Sequence, residues 1–180
     1  MGGNGSALSY SDGLGSVFGD EGGGFWLGSR GLTRALATRD GRTNAPELLS
    51  IFEEELKAFD SLSSKNGTEA ASLAISCARK VLEANIDSTN QIVAEGATHL
   101  ADTVVSAWKK VGSIYEPFKL TISGGLSRNE NYRKLIFDNI KSLKAKVELV
   151  EAAGDNLDGA IWIALNQKED LAPMLGWAKA

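Results

Sequence analysis

The sequence predicts a helix-rich α/β domain, because two strand-like segments follow a long run of helical periodicity. The clearest helix repeats small and apolar residues at intervals of three and four over residues 70–82. Phe118, Leu120 and Ile122 alternate with polar residues, which predicts a half-buried strand, and residues 147–150 predict a second. Strands that follow helices are typical of α/β layers rather than of an all-α bundle. One domain is expected, because 180 residues can bury a substantial core.

The other helices are predicted from periodicity and from residues that start or end helices. An apolar run predicts a helix over residues 25–38, which an Asp-Gly pair ends. Asn44, followed by proline and glutamate, predicts a helix that continues to about Phe59. A long helix is predicted over residues 89–111, with a buried face of Val93, Ala97, Leu100, Val104 and Trp108. Two shorter helices complete the pattern, over residues 132–143 and 155–165.

Composition and charge limit the classes of partner. A net charge of −4 without a basic run gives no support for a nucleic-acid or membrane-surface partner. No apolar run approaches the roughly 20 residues of a membrane span, and the first residues lack the basic and apolar regions of a signal peptide. We therefore expect a cytoplasmic protein. The single cysteine, Cys77, excludes an internal disulfide and a multi-cysteine metal site, and we expect it to pack in the core.

The most informative stretch is residues 12–30, where dense glycines surround Asp20 and Glu21 and lead into an aromatic-led helix. Glycine lets the backbone approach a ligand without a Cβ, and it costs folding entropy, so such a cluster needs a reason. A ligand loop and an ordinary flexible loop both fit this composition. Glu21 could orient water or magnesium, or it could begin the helix, where the dipole favours a carboxylate. We favour the helix start.

Two further segments are candidate ligand loops. Gly124-Gly125 follows the predicted strand and precedes a helix, which is where open α/β sheets bind ligands, although a tight structural turn is the alternative. The consecutive N–H groups of residues 3–6 could form an anion nest around phosphate oxygens. The sole histidine, His99, lies off the predicted buried face, and we expect a surface residue. No Walker A sequence, Ser-His-Asp set or metal-spaced cluster occurs, so no catalytic residue or metal ligand is assigned.

The order of these segments resembles the N-acetylglucosamine kinase and BadF/BadG/BcrA/BcrD-type ATPase family. GLGSVFGDEGGGFWLGSRGL is similar to the family signature, in which a GWG-like turn leads to GDEGS and an aromatic-led helix. GNGS upstream resembles a GTGS phosphate loop, and ISGGLSRNE downstream resembles the adenosine-side segment. The family belongs to the sugar-kinase, actin and Hsp70 superfamily, whose two RNase H-like domains close over ATP. The resemblance covers nearly the whole chain but only the second half of a typical member.

The resemblance implies a C-terminal RNase H-like (actin-like ATPase) domain with a reduced mixed sheet over residues 1–180, without the N-terminal domain. It implies ATP and Mg²⁺ as cofactors, with the ATP phosphates lined by Gly3, Asn4, Gly5 and Ser6. Asn4 stands where relatives have threonine. The residues that would border the adenosine are Gly124, Gly125, Leu126 and Asn129. The positions that match sugar-holding residues are Gly13, Leu14 and Asp20, and Leu14 replaces the family's common tryptophan.

The expected function is ATP-dependent phosphate transfer to an amino sugar or a hexose. Asp20 would accept hydrogen bonds from sugar hydroxyls. The first phosphate loop and the catalytic aspartate belong to the missing half, so activity is expected only when that half is supplied. The expected partner is a second copy, as a homodimer, or a separate N-terminal half. The alternative is a truncated, non-catalytic binding module that dimerises, since relatives commonly pair through this half. An activator of a reductive dehydratase is disfavoured, because each subunit there gives two thiolates to a shared cluster and Cys77 is alone.

Overall fold

The computed structural model of the protein describes residues 2–3, 7–113 and 115–165. Two short strands precede five helices, and a strand–helix–strand–helix unit follows. In chain order the elements are β1 (Gly2–Gly3), β2 (Leu8–Ser9), α1 (Gly24–Arg39), α2 (Glu47–Ile51), α3 (Glu53–Ser61), α4 (Thr68–Glu83), α5 (Asp87–Lys109), β3 (Phe118–Leu120), α6 (Glu130–Ser142), β4 (Val147–Leu149) and α7 (Asn156–Leu165). The expected helix-rich α/β class is therefore confirmed.

The described strands form two separate pairs rather than the single mixed sheet that was expected. β1 and β2 are antiparallel, whereas β3 and β4 are parallel, with Phe118 opposite Val147. Each strand has only two or three residues, and no described strand bridges the two pairs. The sheet is thus too small to organise the fold, and the helices carry the core.

The helix α1 packs closely on α4 because two of its glycines have no side chain in the way. A Cβ on Gly28 would overlap the carbonyl oxygen of Ala74, and a Cβ on Gly31 would overlap a methyl group of Val81. Glycine lowers the intrinsic helix propensity at both positions. Close packing compensates for this loss, so α1 extends over the predicted segment.

The single helix expected from Asn44 to Phe59 is wrong, because α2 and α3 meet at a bend. Phe52 has a φ of −105° and a ψ of 20°, and its fully buried ring packs over Gly31. Asn44 does not cap α2, which begins after Pro46. Hydrogen bonds still cross the bend, so apolar spacing continues through it and the sequence pattern does not reveal it.

The buried face of α5 is centred on smaller residues than the sequence pattern indicated. Gly96, Ala97 and Ala101 are buried at its centre, whereas Leu100 and Trp108 are only partly buried. The reason is that α5 packs against α1, α4 and α6 at once, and small side chains permit the approach of several neighbours.

The remaining elements lie within a few residues of their predicted bounds. Cys77 is fully buried, as expected, and burial raises the pKa of its thiol from about 9 to about 12. The indole of Trp108 stacks on Phe118, with ring centroids 5.0 Å apart, and joins α5 to β3. Among the described helices, none combines the length and apolar character that crossing a bilayer requires.

Candidate functional site

The glycine loop between β2 and α1 is closed by Asp12, a residue to which the sequence analysis gave no role. Its carboxylate accepts hydrogen bonds from the backbone N–H groups of Asp20 at 2.9 Å and Glu21 at 3.2 Å. Both Asp12 and Asp20 have positive φ, at 62° and 56°, which aspartate tolerates better than most residues. The only sequence signal for this role is that Asp12 heads the glycine run.

The turn after Glu21 lies directly on α5. Gly22 has a φ of 79°, and a Cβ there would overlap the carbonyl oxygen of Gly96 and come within 2.8 Å of Leu100 Cγ. A Cβ on Gly96 would in turn lie 3.2 Å from Gly22 Cα. Two glycines on two elements therefore allow this backbone contact.

Tyr132 joins this turn to the helix that follows the Gly124-Gly125 segment. Its hydroxyl donates a 2.8 Å hydrogen bond to the carbonyl oxygen of Gly22, and the side chain is buried. Asn129, at the N-cap of α6, accepts a 2.9 Å hydrogen bond from the Tyr132 N–H. Burial raises the pKa of the Tyr132 phenol well above its ordinary value, so the hydroxyl remains a donor. The structure thus links two of the three predicted ligand segments.

Of the first predicted segment, residues 3–6, the structure describes only Gly3. Gly3 ends β1, whereas Asn4, Gly5 and Ser6 lie outside the part of the chain that the structure describes. The flanking strands rest on the C-terminal part of α5, where the Ser9 hydroxyl donates to the carbonyl of Ala107. Ala107 is eleven residues beyond Gly96, so the strands lie about 16 Å from the Gly22 turn along α5 at 1.5 Å per residue.

The predicted sugar-side residues share one exposed loop. Gly13 has a φ of 73° and open space where a Cβ would be, and Leu14 is 69% exposed. Asp20 lies at the closed end of the loop, beside the Asp12 carboxylate. The side chains of Val17 and Phe18 are also largely exposed. The loop therefore presents the Asp20 carboxylate and an apolar tip to its surroundings.

The predicted adenosine-side residues divide between two clefts. Gly124 and Gly125 line a cleft of about 590 Å³ beside Arg128. Asn129 lines a cleft of about 800 Å³ between α6 and the α4–α5 turn, whose other amide side chains are Asn85, Asn90 and Asn131. Leu126 packs against the core instead. The α6 N-terminus lies between the two clefts.

Gly125 is a glycine whose described surroundings leave room for a side chain. Beyond its chain neighbours, no described atom lies within 4 Å of a Cβ built on Gly125, and its φ is outside the left-handed region. Gly124 is also open, but its φ of 98° explains the residue type. The absence of a side chain at Gly125 leaves accessible backbone five residues beyond the end of β3.

Glu21 differs from its predicted role. The helix start proposed for Glu21 is wrong: α1 begins at Gly24 after the N-cap Gly23, and the first turn of this fully described helix has no acidic residue. Glu21 Oε2 instead lies 3.4 Å from Nδ1 of His99, whose imidazole is 31% exposed and so lies partly at the surface. No sequence pattern indicated this contact, because Glu21 lies 78 residues before His99 and reaches α5 only when the loop folds back over it.

Within the described residues, no group of three or more His, Cys, Asp and Glu side chains is arranged to hold a metal ion. Magnesium commonly binds proteins through one or two carboxylates together with substrate phosphates. The described side chains alone therefore provide no metal cage.

The comparisons with known proteins agree with the helix-rich α/β fold. The model of the BadF/BadG/BcrA/BcrD ATPase family matches residues 4–164, and the chain belongs to this family. No protein among those with curated descriptions matches the chain.

A solved structure supports the fold. A protein from Chromobacterium violaceum, assigned by name as an N-acetylglucosamine kinase, superimposes with a TM-score of 0.62 at 21% identity. The match covers 85% of this chain and 50% of that chain, so this chain spans about half the length of its structural relative. At this level of identity the likeness shows the fold alone.

Proposed function

We propose that residues 1–180 are a single C-terminal, RNase H-like half of an ATP-dependent sugar kinase or ATPase. Membership of an ATPase family over residues 4–164 supports this proposal, as does the half-length match to a kinase-named structure. The observation that carries it is the hydrogen bond from Tyr132 to Gly22, because this bond couples the glycine loop to the Gly124-Gly125 segment. Two segments of a ligand site would need such a coupling.

The nucleotide side of the proposed site is the N-terminus of α6. The open surface at Gly125 fits a ligand that contacts the backbone closely, and the cleft lined by Asn85, Asn90 and Asn129 offers amide donors and acceptors beside apolar walls. Gly124 completes the proposed adenosine border, whereas Leu126, the fourth residue that the resemblance implies, packs against the core. ATP bound here would supply the transferable phosphate.

The phosphate side is proposed for Gly3, Asn4, Gly5 and Ser6, whose backbone N–H groups would face the ATP phosphates. Mg²⁺ would arrive with the nucleotide, since phosphoryl transfer needs a metal to neutralise phosphate charge. The described carboxylates form no cage of their own, which is consistent with a metal held mainly by phosphates.

The sugar side is proposed for Gly13, Leu14 and Asp20. Asp20 can accept hydrogen bonds from sugar hydroxyls, and the two N–H bonds to Asp12 keep its backbone in place. We assign no catalytic base to this chain, because the aspartate that would deprotonate the sugar belongs to the other half in relatives. A separate N-terminal half would therefore be needed for transfer of phosphate to an amino sugar or a hexose.

One observation favours a second candidate function, a non-catalytic module that binds a protein partner. Leu14, Val17 and Phe18 are 69%, 81% and 83% exposed at the tip of the glycine loop. Exposed apolar side chains that cluster on one loop are typical of interaction surfaces. The other half of a kinase would also cover this tip, so its exposure fits both candidates. They differ in whether the chain binds nucleotide.

Calorimetry with Mg·ADP tests the proposal on the purified chain. We expect binding to the wild type and at least tenfold weaker binding to Gly125→Ala, whose methyl group would meet the ligand but no described protein atom. Gly159→Ala on α7 is the matched control, because a Cβ there is equally free. Asp20→Asn should leave Mg·ADP binding unchanged and weaken binding of N-acetylglucosamine or glucose. No heat with the folded wild type would contradict the kinase proposal and favour the module.

A further inference from the structure

His99 lies among charged groups from three elements. Its Nδ1 is 3.4 Å from Oε2 of Glu21 in the glycine loop, and its Nε2 is 3.7 Å from Oε1 of Glu95 on α5. The same Glu95 oxygen is 3.5 Å from Nη2 of Arg30 on α1. Asp102 is the neighbour at i+3 on the same helix. The imidazole can therefore contact one carboxylate on its own helix and one on the loop.

The imidazole itself is held by packing on the two helices. The indole of Trp26, which is 9% exposed, meets the His99 ring edge-on, with centroids 5.5 Å apart. The guanidinium of Arg30 lies 4.4 Å from the centroid of the same indole. The orientation of His99 is thus set by α1 and α5, independently of the loop.

Glu21 belongs to the loop, and its side chain is half exposed. Its N–H is bound by Asp12, and the next residue, Gly22, rests on α5. An ion pair at such a site is weak by itself. A loop with few buried contacts opens easily, however, so a weak contact can change how often it opens.

We propose that His99 is a positioning residue that binds the Glu21 carboxylate and holds the Asp20–Glu21 turn against α5. The direction in which Asp20 faces a sugar would then depend on a residue far away in sequence. This consequence for the sugar rests on the proposed function, whereas the contact does not.

Hydrogen exchange on the ligand-free chain tests the contact. The N–H groups of Asp20, Glu21 and Gly23 all donate hydrogen bonds within the turn, so their protection reports its opening. Glu21→Gln and His99→Gln should each raise exchange at least threefold after correction for intrinsic rates. The double variant should show no more than the larger single effect.

Two further variants separate this role from general destabilisation. Glu53→Gln removes a carboxylate from the exposed Lys57 pair on α3 and should leave the turn unchanged. Glu95→Gln removes the other carboxylate near His99. The proposal is overturned if Glu95→Gln opens the turn while Glu21→Gln does not, or if the effects of Glu21→Gln and His99→Gln add in the double variant. Glu21→Gln changes a half-exposed side chain, so this arm remains informative if His99→Gln does not fold.

Failure of the proposed function would look different. Protection of the turn would still depend on His99, while calorimetry with Mg·ADP and N-acetylglucosamine would give no heat. If instead the ligands bind and protection is independent of His99, the contact proposal alone is wrong.

Discussion

The Tyr132 hydroxyl binds the carbonyl oxygen of Gly22 at 2.8 Å, across 110 residues of sequence. Tyr132 lies in the first turn of α6, which follows the Gly124-Gly125 segment, and Gly22 ends the glycine loop. A buried tyrosine hydroxyl normally finds such a partner. The pair therefore holds the glycine loop beside the N-terminal part of α6, although no described strand joins these two parts of the chain.

Removing this hydroxyl should destabilise the protein and loosen the glycine loop. Tyr132→Phe leaves the Gly22 carbonyl unpaired in a buried place, which should lower the free energy of unfolding by about 1–2 kcal/mol. Urea denaturation measures this change. Tyr115→Phe, at a tyrosine that is 70% exposed, is the matched control and should change stability by less than about 0.5 kcal/mol. Equal effects of the two substitutions would show that the bond contributes nothing.

Gly22 lies so close to α5 that its substitution should cost more stability than substitution of another glycine with the same backbone conformation. Gly22 and Gly41 have φ values of 79° and 77°, but only at Gly22 would a Cβ meet neighbouring atoms. Gly41→Ala should cost about 1 kcal/mol for the left-handed conformation. Gly22→Ala should cost roughly 2 kcal/mol more, because the backbone of the turn must move away from Gly96. Thermal denaturation of both variants gives the difference, and similar losses would contradict the close contact.

The sequence predicted the helices well where periodicity and packing agree. The apolar repeat over residues 70–82 became α4, and the alternation around Leu120 became β3. Local patterns fix which face an element buries, and these two elements bury the face that the pattern indicates. The helix α5 shows the limit: its buried centre is made of small residues, whose role depends on how many neighbours surround them.

The candidate site was predicted less completely, because its contacts are between distant residues. The sequence indicated the glycine loop and the Gly124-Gly125 segment, but not the bonds that hold them. Asp12, Tyr132 and His99 act on residues that are 8, 110 and 78 positions away. No spacing rule connects such pairs, so composition could suggest the loops while only the fold could show what positions them.

The packing of α1 on α4 should tolerate no side chain at Gly28. A Cβ there overlaps the Ala74 carbonyl, which belongs to backbone and cannot rotate away. Gly28→Ala should therefore lower the free energy of unfolding by roughly 3 kcal/mol, in spite of the better helix propensity of alanine. Gly24→Ala in the same helix is the control, since the nearest atom is 4.0 Å away, and it should change stability by less than about 0.5 kcal/mol. Guanidinium denaturation compares the two, and a neutral Gly28→Ala would refute the close packing.

Stability should fall in alkaline solution because of Cys77. Burial raises the pKa of this thiol from about 9 in the unfolded chain to about 12 in the fold. Below pH 9 both states keep the proton, and the contribution of the thiol is complete. Between pH 9 and 12 only the unfolded state releases it, so the free energy of unfolding falls with rising pH, by at most about 1.4 kcal/mol per pH unit.

Urea denaturation at pH 8 and pH 10 measures this loss, which we expect to be about 1 kcal/mol for the wild type from the thiol alone. Cys77→Ala removes the titrating group, and its cavity cost is the same at both pH values. The fall between pH 8 and 10 should therefore be smaller in the variant by about 1 kcal/mol, while the lysines and tyrosines of the two proteins titrate alike. An equal fall in both proteins would mean that the Cys77 thiol ionises in the folded state as readily as in the unfolded chain.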